Sequence, residues 1–376
     1  MRWTFSKEKL RNTIADVLFP ENNACHLCGR CSERPGILCT SCKGLDAAVV
    51  SSPANVRALT GVECDCVTLL VTSARTVFFT DFRYAPAVAR LAPYLEIGDI
   101  LKFLHAKSPL KVKGCSFDKV GFEPSIAYSA YERLEKVFPK AGFVDVESDI
   151  LSLRAVKTPE EIDMIRKAAA LNDEAWNHAR AQFKAGMTER DMARVIKSKM
   201  LDIGDGEAFE TIVCIGENAA ECHHVPDDTK WDGKKNILVD MGVKFRGYAS
   251  DMTRNIVGPR PSRLYRKVYD LVLEANMRAI AAARPGMTAA KLDKVARDFL
   301  KANGFGEAFG HSLGHGVGLQ IHEAPAVSRR DKTVLKPGMI ITIEPGVYLP
   351  GNLGVRIEDL VLITETGCEV LSSSEK

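Results

Sequence analysis

The feature that most limits how this chain can fold is an internal repeat. The sequence Ala-Gly-Met-Thr at residues 185–188 returns as Pro-Gly-Met-Thr at residues 285–288, one hundred positions later. The apolar residues that follow keep one spacing in both copies, namely Met192, Val195, Ile196 and Met200, then Leu292, Val295, Ala296 and Leu300. Self-similarity at a fixed period predicts a duplicated unit, here two helices followed by strands, packed as pseudo-symmetric halves. A cleft between such halves is a natural ligand site.

Length and charge narrow the classes of protein to consider. The chain has 376 residues, enough for two or three domains, and carries 51 Lys and Arg against 48 Asp and Glu. A protein whose main role is to bind a nucleic acid backbone or an anionic membrane would carry a larger excess of basic residues. No apolar run approaches a membrane span, and the first 20 residues lack the apolar core of a signal peptide. We therefore predict a cytoplasmic protein that acts on small ligands or peptides, without nucleic acid or membrane partners.

Cysteine usage sets the first 43 residues apart. The chain has 11 cysteines, an odd number that favours reduced thiols over a disulfide framework. Two CxxC pairs have the spacing of a tetrahedral zinc site: Cys25 with Cys28, and Cys39 with Cys42. The other interpretation is a group of incidental buried thiols, and neighbouring Cys31 and His26 leave the choice of ligands open. Residues 1–43 are thus a candidate zinc ribbon holding one structural zinc ion.

A domain boundary is predicted near residue 150. Short β-branched runs alternate with amphipathic stretches from residue 44 onward, which indicates a mixed α/β domain over residues 44–150. Thr158 can then cap a new helix, with Pro159 in the first helical position and Glu161 completing a capping box. The remaining residues, 151–376, contain the repeat and form the predicted catalytic domain.

Four carboxylates interrupt the apolar strands of the repeated region: Asp240, Asp251, Glu344 and Glu358. The first two are centred just before Gly247, and the last two are centred on Gly351, so two hairpins would place each pair of carboxylates in opposition. Like charges directly opposed across strands are destabilising. Buried pairs of this kind either hold protons far above their usual pKa or bind cations. Divalent metal ions satisfy all four carboxylates at once.

Three of the eight histidines lie in the glycine-rich segment GHSLGHGVGLQIHE, at His311, His315 and His322. The density of glycines there predicts backbone that approaches a ligand closely. Imidazole is a good ligand for a catalytic divalent ion, and an imidazole without a metal can shuttle protons at neutral pH. Oxygen and nitrogen ligands without thiolates predict a site for two divalent ions, with manganese favoured and zinc or cobalt as alternatives.

In their order along the chain, the motifs ILVDMG, ASDMTR, GHGVGLQIHE, TIEPGVY and GVRIED resemble the metallopeptidases that cleave Xaa-Pro bonds, aminopeptidase P and prolidase. The segments GLDAAVVSSPANVRALTG and RAVKTPEEIDMIRKAA extend the resemblance over nearly the whole chain after residue 43. The resemblance implies an α/β (α+β) fold, in which a pita-bread catalytic domain with a pseudo-two-fold repeat follows a smaller creatinase-like α/β domain.

The resemblance also implies which residues hold two metal ions: Asp240, Asp251, His315, Glu344 and Glu358. By this likeness Asp251 and Glu358 bridge the ions. Glu344 would additionally act as general base on the water that bridges them.

Four further residues take roles by the same likeness. His223, rather than the adjacent His224, and His322 would contact the substrate and its developing oxyanion. His311 and Arg356 match positions that support the site.

The predicted activity is hydrolysis of an Xaa-Pro bond, at the N-terminus of a peptide or in a dipeptide. Because this bond is a tertiary amide, its cleavage needs a polarised carbonyl, a strong nucleophile and a proton for the leaving ring nitrogen. The expected partners are peptides with proline in the second position. A homodimer is one option for the assembly.

Three alternatives remain at this point. A methionine aminopeptidase shares the five ligands but lacks the preceding domain and the arginine before Ile357. A creatinase-type amidinohydrolase uses the same fold without metals, against which the intact ligand set counts. The third alternative, from a different class, is an inactive relative that serves as an interaction module.

Overall fold

The structure, a computed structural model, describes residues 44–72, 75–105 and 117–376. This part of the chain divides into two compact units, with the division between Arg154 and Ala155. The candidate zinc ligands Cys25, Cys28, Cys39 and Cys42 lie outside the described residues. Within the described ranges, no helix is both long and apolar enough to cross a membrane.

The first unit is built on one six-stranded sheet. Its strands are β1 (Ala47–Val50), β2 (Thr68–Thr72), β3 (Thr76–Thr80), β4 (Glu96–Asp99), β5 (Lys119–Phe122) and β6 (Gly142–Asp145). Its helices are α1 (Pro53–Thr60), α2 (Ala85–Leu91), α3 (Ile100–Leu104), α4 (Tyr128–Val137) and α5 (Glu147–Ala155). The strand order is β4-β3-β2-β1-β5-β6, in which β1, β2 and β3 run antiparallel and the outer pairings are parallel.

Both faces of this sheet are buried, as the apolar sequence of β1 requires. Ala48 and Val50 pack into the core on one face, whereas Ala47 and Val49 pack into the core on the other. Successive side chains of a strand point to opposite faces, so a continuous apolar run needs cover on both sides. This architecture confirms the mixed α/β interpretation of the region.

The second unit contains four long helices and thirteen strands among its described residues. The helices are α6 (Pro159–Gln182), α7 (Glu189–Ile203), α8 (Arg263–Ala282) and α9 (Ala289–Ala302). The strands before α8 are β7 (Gly206–Glu207), β8 (Ile212–Ile215), β9 (Ile237–Met241), β10 (Val243–Phe245), β11 (Tyr248–Ala249) and β12 (Met252–Ile256). The strands after α9 are β13 (Gly314–Gly316), β14 (Glu323–Val327), β15 (Ile340–Ile343), β16 (Gly346–Leu349), β17 (Leu353–Arg356), β18 (Asp359–Ile363) and β19 (Cys368–Val370).

The sequence repeat corresponds to a structural repeat, α6 and α7 in one half and α8 and α9 in the other. The backbone N–H of Gly186 donates to the carbonyl of Trp231 over 2.8 Å, and that of Gly286 donates to the carbonyl of Leu335 over 2.9 Å. The apolar positions of α7 and α9 also have one burial pattern, with Met192 and Leu292 both fully buried. The predicted duplication of a two-helix unit is confirmed.

Helix α6 begins where the sequence predicts. The Thr158 hydroxyl accepts a hydrogen bond from the backbone N–H of Glu161, and the Glu161 carboxylate accepts from the N–H of Thr158, at 3.3 and 2.9 Å. Pro159 occupies the first turn, where its missing N–H has no cost. The first residues of the second unit are thereby fixed, because the capping box sets the entry of the chain into the helix.

Two long hairpins carry the four carboxylates, one in each half. In the second hairpin Gly346 pairs with Arg356 and Ile343 with Asp359, a register that places Glu344 across from Glu358 as predicted. In the first hairpin Phe245 pairs with Tyr248 across a two-residue turn at Arg246 and Gly247, both with positive φ.

The register of the first hairpin differs from the prediction. Asp240 pairs with Thr253, so Asp251 lies two residues away from the position directly opposite Asp240. The cause is the turn, since a two-residue turn with left-handed backbone sets the pairing of the strands that flank it. The predicted hairpin exists, but its first pair of carboxylates is diagonal rather than opposed.

Two glycines of the histidine-rich segment are explained by neighbouring strands. A Cβ on Gly314 would lie 2.1 Å from the carbonyl oxygen of Thr342, and one on Gly316 would lie 2.2 Å from that of Ala324. These positions leave no room for a side chain because β13 lies between β14 and β15 in the sheet. The glycines do allow a close approach to the backbone, as expected. The group that approaches is the backbone of an adjacent strand and not a ligand.

Candidate metal centre

Acidic residues and one histidine from separate strands meet in the second unit. Ligand atoms of Asp251, His315 and Glu358 all lie within 4.8 Å of one another. The Nε2 atom of His315 is 3.6 Å from Asp251 Oδ2 and 3.4 Å from Glu344 Oε1. Asp251 precedes β12, Glu344 follows β15 and Glu358 precedes β18, so each carboxylate stands beside a strand end where the backbone pairing is interrupted.

His315 is oriented as a ligand. Its Nδ1–H donates to the carbonyl of Gly316 at 3.1 Å, which leaves the lone pair on Nε2 facing the carboxylates. Burial lowers the pKa of His315 to about 4, so the ring is neutral at neutral pH. A neutral imidazole whose second nitrogen is held by a hydrogen bond is the usual form of a metal-binding histidine.

The carboxylates of the cluster are destabilised as anions. Burial, followed by the charges of Glu358 and Asp240, raises the pKa of Asp251 well above its usual range. Burial and the charges of Glu344 and Asp240 act in the same direction on the pKa of Glu358. Burial raises the pKa of Glu344 to about 8. Acceptors packed this closely must share protons or a cation.

The ligand atoms of this cluster suit a divalent metal ion. Among the residues that the structure describes, no group donates a hydrogen bond to the buried Oδ1 of Asp240. The lone pair of His315 Nε2 and the oxygens of Asp251 and Glu344 also face each other as acceptors, without a donor between them. Hard carboxylate oxygens together with one imidazole are ligands that suit divalent ions such as manganese or zinc.

One buried arginine joins this cluster to the groups around it. Arg356 on β17 is 2% exposed, and its Nη2 donates to Asp240 Oδ2 at 2.6 Å. Its Nη1 donates to the Tyr348 hydroxyl at 2.8 Å, and that hydroxyl donates to His311 Nε2 at 3.0 Å because His311 Nδ1–H is committed to the carbonyl of Ser312. His311 and Arg356 therefore belong to one hydrogen-bonded chain that ends at Asp240.

Thr253 is a member of the site that sequence reasoning did not single out. Its hydroxyl donates to Glu358 Oε2 at 2.7 Å and accepts from Arg356 Nε at 3.0 Å. This hydrogen bond fixes one oxygen of Glu358 and thereby the orientation of its carboxylate. Thr253 stands in the motif ASDMTR, two residues after Asp251. On strand β12 it pairs with Asp240 on the neighbouring strand β9. Only the pairing of the strands shows that its side chain faces the cluster.

A second buried arginine supports the backbone behind the cluster. Arg254 forms an ion pair with Asp359 at 2.8 Å and donates to the carbonyl of Glu358. Both side chains are almost fully buried. This pair ties β12 to the start of β18, the two elements that present Asp251 and Glu358.

The remaining predicted histidines lie around the cluster. The ring of His322 contacts that of His315 edge to face, with centroids 4.4 Å apart. His224 is committed to Glu189 at 2.7 Å and to Glu221 at 3.1 Å. His223 is exposed, and its proximity adds to burial and to the charge of Arg356 in lowering the pKa of His311. Of the two adjacent histidines, His223 is the one exposed to solvent.

Glu189 anchors the segment that carries these two histidines. Its carboxylate is fully buried and accepts hydrogen bonds from the N–H groups of Ile215 and Asp227 and from the Asn218 side chain, at 2.7, 3.0 and 2.9 Å. Glu189, His224 and Asp227 are close enough to share an ion, but both oxygens of Glu189 already have protein donors. The repeat contained a signal for Glu189, because this acidic residue stands where the second copy has the small residue Ala289.

Comparison with known proteins identifies the family. Residues 163–365 match metallopeptidase family M24, and residues 40–156 match the creatinase/prolidase N-terminal domain. The chain is also 37% identical over 343 residues to an Xaa-Pro dipeptidase of Pyrococcus furiosus, covering 88% of this chain and 94% of that protein. This chain belongs to metallopeptidase family M24.

Solved structures agree with this assignment. A prolidase from Pyrococcus furiosus superimposes with a TM-score of 0.83 at 35% identity, covering 90% of this chain and 99% of that one. An Xaa-Pro dipeptidase from Bacillus anthracis gives a TM-score of 0.86 at 30% identity and covers 99% of both chains. An aminopeptidase P of Escherichia coli, 20% identical, shares the fold with a TM-score of 0.79. The expected pita-bread fold, preceded by a creatinase-like unit, is confirmed.

The raised pKa values predict how stability depends on pH and metal. Because the pKa of Glu344 is about 8 in the fold against a reference value of 4.5, the metal-free folded protein binds more protons than the unfolded chain between these values. The free energy of unfolding of metal-free protein should therefore fall as pH rises through this window. Metal ions replace the protons, so the increase in Tm on adding Mn²⁺ should be larger at pH 8 than at pH 5.

Thermal unfolding with chelator and with Mn²⁺ at each pH measures both effects. The fall in stability should be shallower in Glu344→Gln, which has lost one titrating group. Equal increases in Tm at pH 5 and pH 8 would contradict the assignment of metal to these carboxylates.

Proposed function

We propose that this protein is a metal-dependent peptidase that hydrolyses Xaa-Pro bonds in dipeptides or at the N-terminus of peptides. The observation that carries the proposal is the convergence of Asp251, His315, Glu344 and Glu358 around one point, with Asp240 linked to it through Arg356. The names of the relatives agree with it, since the similar proteins include Xaa-Pro dipeptidases and prolidases from several organisms.

The alternatives are less well supported. A methionine aminopeptidase would lack the creatinase-like unit, which is present here over residues 40–156. A metal-free amidinohydrolase or an inactive module would have no use for Asp251, Glu344 and Glu358, whose anionic forms are destabilised by burial and by neighbouring carboxylates. We therefore favour a peptidase with a working metal centre.

Five residues would hold two divalent ions: Asp240, Asp251, His315, Glu344 and Glu358. In this proposal Asp251 and Glu358 would each help to hold both ions, and both are almost completely buried, at 5% and 1% exposure. When bound, divalent ions supply polarisation of the scissile carbonyl and activation of water at neutral pH.

Residues of the chain would then transfer the protons that the reaction requires. Glu344 would have to accept a proton from water and return it to the prolyl nitrogen. Its Oε1 accepts a hydrogen bond from Thr342 at 3.1 Å, which fixes the orientation of the carboxylate.

The histidines beside the cluster would contact the substrate. His322 stands over the ring of His315 and is exposed, so it can donate a hydrogen bond to the oxygen that becomes negative during cleavage. His223 is also exposed and would line the pocket for the proline ring. His311 and Arg356 would keep Asp240 oriented through the chain that includes Tyr348.

Several finer points are proposed from the sequence. We favour manganese as the metal, peptides with proline in the second position as substrates, and an organisation into residues 1–43, 44–150 and 151–376. The structural zinc site at the N-terminal cysteines, the cytoplasmic location and the option of a homodimer stay predictions of the same kind.

The first prediction here concerns substrate. The Mn²⁺-loaded protein should cleave Ala-Pro or Ala-Pro-Ala with a higher kcat/KM than Ala-Ala-Ala, because the site recognises a free amine followed by a proline ring. Product amines measured under matched conditions give the three values. A faster reaction with Ala-Ala-Ala, and none with either proline peptide, would refute the Xaa-Pro preference.

A second prediction concerns metal content. Asp251→Ala and Glu358→Ala should each lose most of the bound metal, whereas Asp240→Ala should retain more, since a carboxylate shared by two ions affects both. Atomic emission analysis of protein reconstituted with Mn²⁺ measures the ratio of metal to protein. Asp163→Ala, an exposed change on α6, serves as the control. Equal metal content in all four variants would mean that these residues are not the ligands.

A third prediction separates catalysis from metal binding. His322→Ala should keep its metal but lose about 10²- to 10⁴-fold in kcat, the usual contribution of a group that moves or stabilises charge in the transition state. The matched control is His178→Ala, an exposed histidine on α6 that should leave kcat unchanged. Wild-type turnover in His322→Ala would remove this residue from the mechanism.

A further inference from the structure

A buried ion pair beside the catalytic cluster has no role in the chemistry described above. The Nζ of Lys157 lies 3.3 Å from Glu323 Oε2, and both side chains are only 2% exposed. Several other ion pairs of this unit lie at the surface, such as that of Lys294 and Asp298 with 71% and 57% exposure. Burying two charges costs a large desolvation free energy, and such a pair is weak evidence for stabilisation. Its location therefore calls for another explanation.

The carboxylate of Glu323 closes the turn that carries His322. Its Oε1 accepts a hydrogen bond from the backbone N–H of Gln320 at 2.9 Å, and the N–H of Gly318 donates to the carbonyl of Gln320 at 3.1 Å. A Cβ on Gly318 would lie 2.6 Å from Glu323 Oε2, so this glycine leaves room for the carboxylate. The side chain of Glu323 thus fills the inside of the turn formed by residues 318–323.

Lys157 is held in place by the start of the second unit. Its backbone N–H donates to the carbonyl of Gly338 at 2.9 Å, and the next residue, Thr158, caps α6 through its capping box. The Nζ also donates to the carbonyl of Ala155 at 3.4 Å. The ammonium group is therefore a fixed point against which a neighbouring turn can be positioned.

We propose that Lys157 and Glu323 are positioning residues that hold the turn 318–323 so that the His322 ring stands over the metal centre. Glu323 follows His322 directly, so the anchored carboxylate and the exposed imidazole are one residue apart on the same short segment. The result is the edge-to-face contact of His322 with His315 at 4.4 Å between ring centroids. This inference rests on the proposed function, in which His322 contacts the substrate.

The kinetic test uses the Mn²⁺-loaded full chain and the proline peptide that it cleaves faster. Glu323→Gln and Lys157→Met should lower kcat about 10- to 100-fold, the effect of a misplacement near 1 Å, with KM little changed and metal content equal to wild type. Lys157→Arg keeps the charge and should recover part of the activity. Lys294→Met, which breaks the exposed pair, is the matched control and should match wild type.

Coupling to His322 separates positioning from a general loss of structure. Once His322 is alanine, adding Glu323→Gln should lower kcat by no more than about twofold, because there is no ring left to place. The double variant with Lys157→Met and Glu323→Met removes both charges, so it should retain its Tm yet remain slow. A full 10-fold loss in the His322→Ala background, or wild-type kcat in Glu323→Gln, would overturn the proposal.

A crystal structure of Glu323→Gln tests the placement without any assay. The two imidazole centroids should move apart from 4.4 Å, whereas an unchanged separation would refute the positioning role whatever the substrate. Failure of the proposed function is a different result, namely that the wild-type protein cleaves no Xaa-Pro peptide. The two outcomes are therefore distinguishable.

Discussion

The mutual repulsion of buried carboxylates is the constraint on which the second unit depends. Asp251 and Glu358 are almost inaccessible to water, and their burial, together with the charges of neighbouring carboxylates, raises the pKa of both. A fold can tolerate such a cluster only if positive charge is brought to it. Arg356 supplies one such charge from the protein, and its Nη2 donates a hydrogen bond to Asp240. The remaining negative charge is what makes this cluster a centre for divalent ions.

The surrounding structure holds this unfavourable arrangement in place. The two hairpins interrupt their own pairing where Asp251, Glu344 and Glu358 stand, so the carboxylates project from backbone that is fixed on both sides. Thr253 orients one oxygen of Glu358, and the buried pair of Arg254 and Asp359 ties the two hairpins together. Because the proposed metal ligands come from several strands, the sheet sets their geometry.

Local sequence patterns predicted much of this architecture. The repeat at residues 185–188 and 285–288 indicated the duplicated helix pairs, and the capping box at Thr158 and Glu161 marked where the second unit enters its first helix. These signals succeed because a cap or a repeated turn involves residues only a few positions apart. Resemblance to a family, in contrast, was needed to choose His315 from among three neighbouring histidines.

The sequence by itself determined which residues could form the centre and where the chain reverses between them. It placed the reversal of the second hairpin correctly at Gly351, because there the two carboxylates and the turn share one centre. The tertiary structure decided the register of the first hairpin, the partners of Arg356 and the contact of Lys157 with Glu323. The reason is physical, since the left-handed backbone at Arg246 and Gly247 shifts the pairing. The contacts of Arg356 with Asp240 and of Lys157 with Glu323 join residues more than one hundred positions apart. No local pattern encodes the distance between such groups, which only the packing of strands and helices sets.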